Sequence, residues 1–209
     1  MPEFFYDLFP SAGEGYDATV RGMAYREPDV LFDELRSALP ATLVDSVLDV
    51  GCGTGLLGAL LRPFARRLIG IDGSEKMLGE ARKKGLYDAL IVGDFCTSSQ
   101  LGNGAYDLIV AAGVFLFYAD LTVPLRTASS AVKKDGLIAF SIDASAATGV
   151  EQNPRSNLMF MHSKAEVARC CAAAGFELLS IKEAVGRNRF GTDEPISCYF
   201  AVAHAGCRG

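Results

Sequence analysis

Val47-Leu48-Asp49-Val50-Gly51-Cys52-Gly53-Thr54-Gly55 joins an apolar run to three glycines at alternate positions. Ser46–Val50 reads as a buried strand and Leu56–Leu61, stopped near Pro63, as a helix, so Gly51 to Gly55 must turn one into the other. Such a turn needs backbone freedom and lets a ligand approach the main chain, with Cys52 beside it. A dinucleotide loop of the GxGxxG kind would carry its third glycine at 56, where this chain has Leu56. A nicotinamide-dependent oxidoreductase is disfavoured on that ground. Asp49 points the same way, because an acid before the first glycine repels a pyrophosphate and suits a ligand bearing an ammonium group.

On either side, short apolar runs alternate with longer helical patterns, the signature of an α/β fold. Pro28 opens a helix carrying Leu31, Leu35 and Leu39, ended by Pro40. After the glycine turn come a strand at Leu68–Ile71, a helix capped by Ser74, and strands at Ala89–Val92 and Leu108–Ala112. A helix is expected over Leu121–Val132, with Lys133 and Lys134 in its last turn and Gly136 as its stop, then a strand at Leu137–Ile142. Residues 144–162 read as an inserted loop. Helix Lys164–Ala174 ends at Gly175, and strands Phe176–Glu183 and Ile196–Ala203 follow with no helix between them, which predicts an antiparallel closing pair on an otherwise parallel sheet.

The carboxylates fall at strand ends. Asp72, followed by Gly73, closes the second strand, where two acceptor oxygens can hold a ribose diol. Asp94 and Phe95 close the third, where an acid can accept from an adenine amino group while a phenyl ring packs on the base. Three acids in register after successive strands make a stronger sign than any one alone.

With VLDVGCGTG, the acid of IGID, the Asp-Phe of VGDF, YDLIVAAGVFLFYADL and VKKDGLIAFSI in this order, the chain resembles the class I S-adenosylmethionine-dependent methyltransferases over roughly residues 44–143. YDATVRGMAYREPDVLFDEL, KGLYDALIVGDF and HSKAEVARCCAAAGF resemble a narrower group, the methyltransferase-like 27 proteins and predicted TPR-associated methyltransferases. The resemblance implies a Rossmann-like, doubly wound, seven-stranded sheet, mostly parallel with a reversed last strand, in one domain. It implies S-adenosylmethionine as cofactor, S-adenosylhomocysteine as product, and cofactor contacts at Asp49, Gly51, Cys52, Gly53, Asp72, Gly73, Met77, Asp94 and Phe95. Ala111 would lie beside the methionine moiety. Tyr16, Tyr25 and Arg26 sit in the segment that closes over the cofactor in such enzymes. Residues 1–43 would then be a helical lid, and 44–209 the methyltransferase domain with a substrate-side insertion at 144–162. Where the group carries Arg-Tyr-Ala before the late His-Ser, this chain has Met159-Phe160-Met161 ahead of His162 and Ser163.

Methyl transfer from a sulfonium needs alignment and dryness more than a base. If the acceptor must lose a proton, His162 is the candidate base, with a structural hydrogen bond as the alternative. Tyr118 is a candidate substrate contact or a core aromatic. Arg187 and Arg189 bracket a turn before the last strand and could hold an acidic substrate or stay solvated. Cys170 and Cys171 face different sides of a helix, so no metal site is expected.

Composition narrows the classes. Half the residues are apolar and 22% charged, enough to build a core. The net charge is −5, and residues 1–45 hold 9 acidic and 3 basic side chains, so no basic patch recommends nucleic acid as a partner. The longest apolar run, Leu108 to Ala119, is too short for a membrane span. Six cysteines without a CxxC, and an acidic N-terminus unlike a signal peptide, suggest free thiols and a cytoplasmic location. The expected function is methyl transfer to a small molecule, and a catalytically silent cofactor-binding partner domain is the alternative. Oligomeric state is not legible.

Overall fold

A computed structural model describes residues 15–39, 42–154, 156 and 158–206. The expected helix stop at Pro40 and the sixth cysteine, Cys207, lie outside them.

β1 (Val44–Val50) is apolar on both faces: Val47 turns to one core cluster, Leu48 and Val50 to the other. A strand with two apolar faces belongs in a sheet covered on both sides. α3 (Leu56–Leu61) leads to β2 (Ala65–Asp72), and α4 (Glu75–Lys84) leads to β3 (Ala89–Val92). The Ser74 hydroxyl caps α4 by accepting from the Met77 amide at 3.3 Å, and Gly85 ends it in the left-handed conformation. The chain then crosses back to β4 (Tyr106–Ala111), α5 (Thr122–Ala131) and β5 (Val132–Asp143). β8 (Phe176–Asn188) and β9 (Pro195–Ala205) complete a seven-stranded sheet of order β3-β2-β1-β4-β5-β9-β8. β9 is antiparallel to both its neighbours, and the other neighbouring pairs are parallel. The expected class and the reversed last strand are therefore present. Because β1 pairs with β2 on one side and β4 on the other, the strand order reverses beside it, and a crevice opens at the carboxyl ends there.

Four elements depart from the sequence reading. Lys133 and Lys134 belong to β5: Val132 pairs with Tyr106, and the Lys133 ammonium reaches Asp107 at 2.8 Å, so sheet pairing outweighs the helical pattern. Residues 144–162 contain a hairpin of β6 (Val150–Gln152) and β7 (Phe160–His162), three residues each and too short to show a period. β8 runs five residues beyond its expected end, which places Arg187 inside a strand. α2 (Glu27–Arg36), preceded by α1 (Tyr16–Gly22), buries Leu31 and Leu35 completely against α3, β8 and β9. It thus forms part of the core, while α1 and the link after it lie beside the crevice. α6 (Lys164–Ala173), capped by Ser163, covers β8. No helix among the described residues is long and apolar enough to cross a membrane.

Candidate active site

The glycine turn opens the crevice. Gly51 and Gly53 have φ of 61° and 54°, a region that L side chains rarely adopt, and a Cβ at Gly51 would overlap the Val114 side chain. The turn is pinned to β2 through Asp72, whose two oxygens accept from the Gly53 and Ser74 amides, each at 2.8 Å. A carboxylate offers about four lone-pair positions, so these two bonds leave acceptor capacity. One cavity is lined by Tyr16, Tyr25, Asp49, Gly51, Cys52, Gly53, Asp72 and Met77, and by Ala112, Gly113, Val114 and Phe117. A smaller one shares Gly51, Asp72 and Val114 with it and continues along Gly73, Asp94, Phe95 and Tyr118. Together they form one bent slot across the ends of β1, β2, β3 and β4.

Electrostatically the slot is negative, its acids being buried. Asp49 is buried, and its carboxyl is pushed up to about 7 by that burial, opposed by a hydrogen bond from the Tyr87 hydroxyl and reinforced by nearby Asp72. Burial likewise pushes Asp72 up to about 6 against the Ser74 and Gly53 amides. No cation of the described residues contributes to either shift. Burial and the charges of Glu27 and Asp72 hold the Tyr16 hydroxyl at about 12, so this phenol stays neutral in the slot. A site with two buried acids, neutral donors and no internal cation suits a ligand that brings its own positive charge.

Eleven of the thirteen expected cofactor residues line the crevice, ten of them being Tyr16, Tyr25, Asp49, Gly51, Cys52, Gly53, Asp72, Gly73, Met77 and Asp94. Phe95 also lines it, although its ring is largely spent in the core, stacked 6.5 Å from Phe115. Two expectations need correction. Ala111, the last residue of β4, is wholly buried because its side chain packs into the core cluster, and the next residues, Ala112 and Gly113, line the slot. Arg26 is exposed and lines neither cavity; its amide donates to Gly186 while Tyr25 beside it faces inward.

The acceptor-side candidates scatter. Tyr118 lines the slot, and its hydroxyl lies 3.3 Å from the Cys96 thiol. His162 is fully buried and lines neither cavity. Its Nε2 lies 2.9 Å from the Tyr118 carbonyl, which can only accept, so Nε2 carries the hydrogen and Nδ1 is left without a partner among the described residues. Burial lowers the imidazole's pKa, which favours this neutral form. Arg187 is not a free substrate contact: its guanidinium is buried between Glu27 and Asp143, with both Asp143 oxygens at 2.7 and 2.8 Å. Arg189 pairs with Glu194 across the turn before β9, away from the slot. Two contributors escaped the sequence reading. Tyr87 bonds Asp49, and Asp17 of α1 accepts from the Thr54 hydroxyl and pairs with Lys84 at 2.7 Å, strapping α1 across the glycine turn.

The sulfonium, ammonium, ribose and adenine of S-adenosylmethionine fit this donor set: acids with open acceptor positions and no cation, beside a backbone that glycine keeps clear. The chain matches the family described as a methyltransferase domain over residues 23–181. It is 38% identical to human methyltransferase-like protein 27 over 115 residues, 52% of this chain and 44% of that protein. It is 31% identical to the ubiquinone biosynthesis O-methyltransferase of Bordetella avium over 119 residues, 54% of this chain and 45% of that one. The chain thus spans less than half the length of these curated relatives. Among solved structures, it resembles the 1,6-didemethyltoxoflavin-N1-methyltransferase of Burkholderia thailandensis with TM-score 0.75 at 17% identity, covering 98% of this chain and 88% of that chain. A Haloferax volcanii methyltransferase in complex with the Trm112 activator gives TM-score 0.74 at 19% identity, over 95% and 97% of the two chains. By family match and fold together, the chain belongs to the methyltransferase domain family, in its class I, S-adenosylmethionine-dependent branch.

Proposed function

We propose that the slot binds S-adenosylmethionine with its ammonium end at Asp49, its ribose diol at Asp72 and its adenine between Asp94 and Phe95, and that the chain transfers the methyl group to a small-molecule acceptor. The observation that carries this reading is the pair of buried acids, Asp49 and Asp72, served among the described residues only by neutral donors. The sulfonium supplies the activation, since the leaving group is a neutral thioether. The chain's own residues align and dehydrate. Gly51 and Gly53 admit the ligand to the backbone, Met77 and Val114 wall it in, and Tyr16, Tyr25 and Phe117 exclude water on the acceptor side. The Asp17–Thr54 bond supports α1 as the closing part of the proposed lid in residues 1–43, and the hairpin in 144–162 as the acceptor-side insertion. A cytosolic setting rests on the cysteine pattern. The O- and N-directed chemistry in the relatives' names is said of those proteins alone.

His162 supports positioning of the Tyr118 segment, because Nε2 is spent on that carbonyl. A base role for Nδ1 is the second reading. Calorimetry with S-adenosylhomocysteine, followed by assay of its release with a panel of phenols, amines, thiols and carboxylic acids, tests the whole. The expected result is micromolar binding, no comparable binding of NAD, and turnover with one acceptor class. Binding without turnover on any acceptor would instead favour the silent partner domain. With the best acceptor, His162→Gln should raise KM if the residue positions, and lower kcat by roughly 10²–10⁴-fold with an altered pH profile if it is the base.

A further inference from the structure

Tyr87 lies in the link between α4 and β3, outside the glycine turn and outside the lining of the slot. Its hydroxyl donates to Asp49 Oδ2 at 2.7 Å. The ring's place is built by its neighbours. A Cβ at Gly58 of α3 would overlap the Tyr87 hydroxyl, and one at Gly55 or Gly70 would come within 3.1 Å of ring carbons. A half-buried tyrosine given this clearance, with its one polar atom on a buried acid, is placed rather than incidental.

We propose that Tyr87 is a positioning residue for the amino-acid end of the cofactor: it aims the Asp49 carboxylate into the slot, so that the site prefers ligands ending in an ammonium group over those that stop at the thioether. This rests on the orientation proposed above, with the ammonium at Asp49. Among the described residues, three groups face Asp49: Tyr87 from its link, Asp72 from β2, and the Cys52 thiol, itself pushed up by burial and by these acids. Among the described residues acting on the Asp49 carboxylate, Tyr87 alone favours its charged form, while burial and Asp72 oppose it. Burial and the Asp49 charge keep the phenol protonated, so it remains a donor.

The probes are S-adenosylhomocysteine and 5′-methylthioadenosine, which lacks the amino-acid end, titrated into wild type, Tyr87→Phe and Gly58→Ala from pH 6 to 8.5. Tyr87→Phe keeps the ring and removes the donor. It should weaken S-adenosylhomocysteine roughly tenfold at pH 7, as loss of a hydrogen bond to a charged group does, and leave 5′-methylthioadenosine within about twofold. The pH at which S-adenosylhomocysteine affinity is half lost should rise by about one unit. Gly58→Ala displaces the hydroxyl while Tyr87 itself stays in the sequence, and alanine favours the helix, so it should repeat the pattern even if the first variant folds poorly. Equal weakening of both ligands, or an unmoved pH midpoint in the variants, overturns the role of Tyr87. A wild type that shows no preference between the ligands overturns the ammonium reading at Asp49, and this inference with it.

Discussion

The molecule buries two pairs of carboxylates at the carboxyl edge of one sheet, and treats them in opposite ways. Glu27 and Asp143, from α2 and β5, close around Arg187 of β8, so the chain supplies their cation itself. The Ser141 hydroxyl, bonded to Glu27 at 2.6 Å, accepts in turn from the Gly113 amide at 2.8 Å, which ties this cluster to the slot wall. Cys198 joins the two acids in a grouping whose ligand atoms lie within 4.8 Å of one another, but the guanidinium already holds both carboxylates. Asp49 and Asp72, from β1 and β2, accept hydrogen bonds among the described residues only from amides and a phenol. The contrast teaches how to tell a structural acid from a receptive one. Both are buried and hydrogen-bonded, and what separates them is whether the neutralising charge is built into the chain.

Removing the internal cation should give the largest effect. Arg187→Met leaves two buried acids without their partner and should cost about 3–5 kcal/mol in urea unfolding. Arg189→Ala, at a 39%-exposed pair, should change stability by less than about 1 kcal/mol. Equal losses from the two arginines would erase the distinction drawn here. Next in size, Asp72→Asn should weaken S-adenosylhomocysteine by about 1.5–3 kcal/mol, since the amide replaces one acceptor oxygen and the charge. An unchanged dissociation constant with a wild-type melting curve would make Asp72 merely the clamp of Gly53 and Ser74.

These two arginines also mark the limit of what the sequence discloses. Arg187 and Arg189 stand two residues apart in similar surroundings and read alike. Their difference is set by partners 160, 44 and 5 residues away, and by a strand longer than its apolar pattern. The glycine turn and the strand-end acids were legible because they depend on local geometry repeated in register. Ala111 closes β4, but its methyl is taken by the core cluster, and which neighbours meet it there is decided by folding. Tyr87 was hidden for the reason Arg187 was misread: its partner lies 38 residues back, and only folding brings them together. The acceptor side was least legible, for a hairpin of two three-residue strands carries no periodic signal.

The central claim is that Asp49 and Asp72 are held for a ligand, an ammonium at the first and a ribose diol at the second, and pH tests it with two opposite signs. With carboxyls at about 7 and about 6 against an ordinary value of 3.8, the folded chain binds more protons than the unfolded one between about pH 4 and 7. The pair's contribution to the stability of the unliganded chain therefore falls as pH rises through that window. Affinity for an ammonium-bearing ligand needs the ionised acids, so it is present above about pH 7 and lost below. The direct measurement is calorimetric titration of wild type with S-adenosylhomocysteine at pH 8 and pH 5.5, beside 5′-methylthioadenosine. A loss of about tenfold or more on acidification, steeper than for 5′-methylthioadenosine, is the predicted result. An S-adenosylhomocysteine affinity that stays level or rises at pH 5.5 would contradict it.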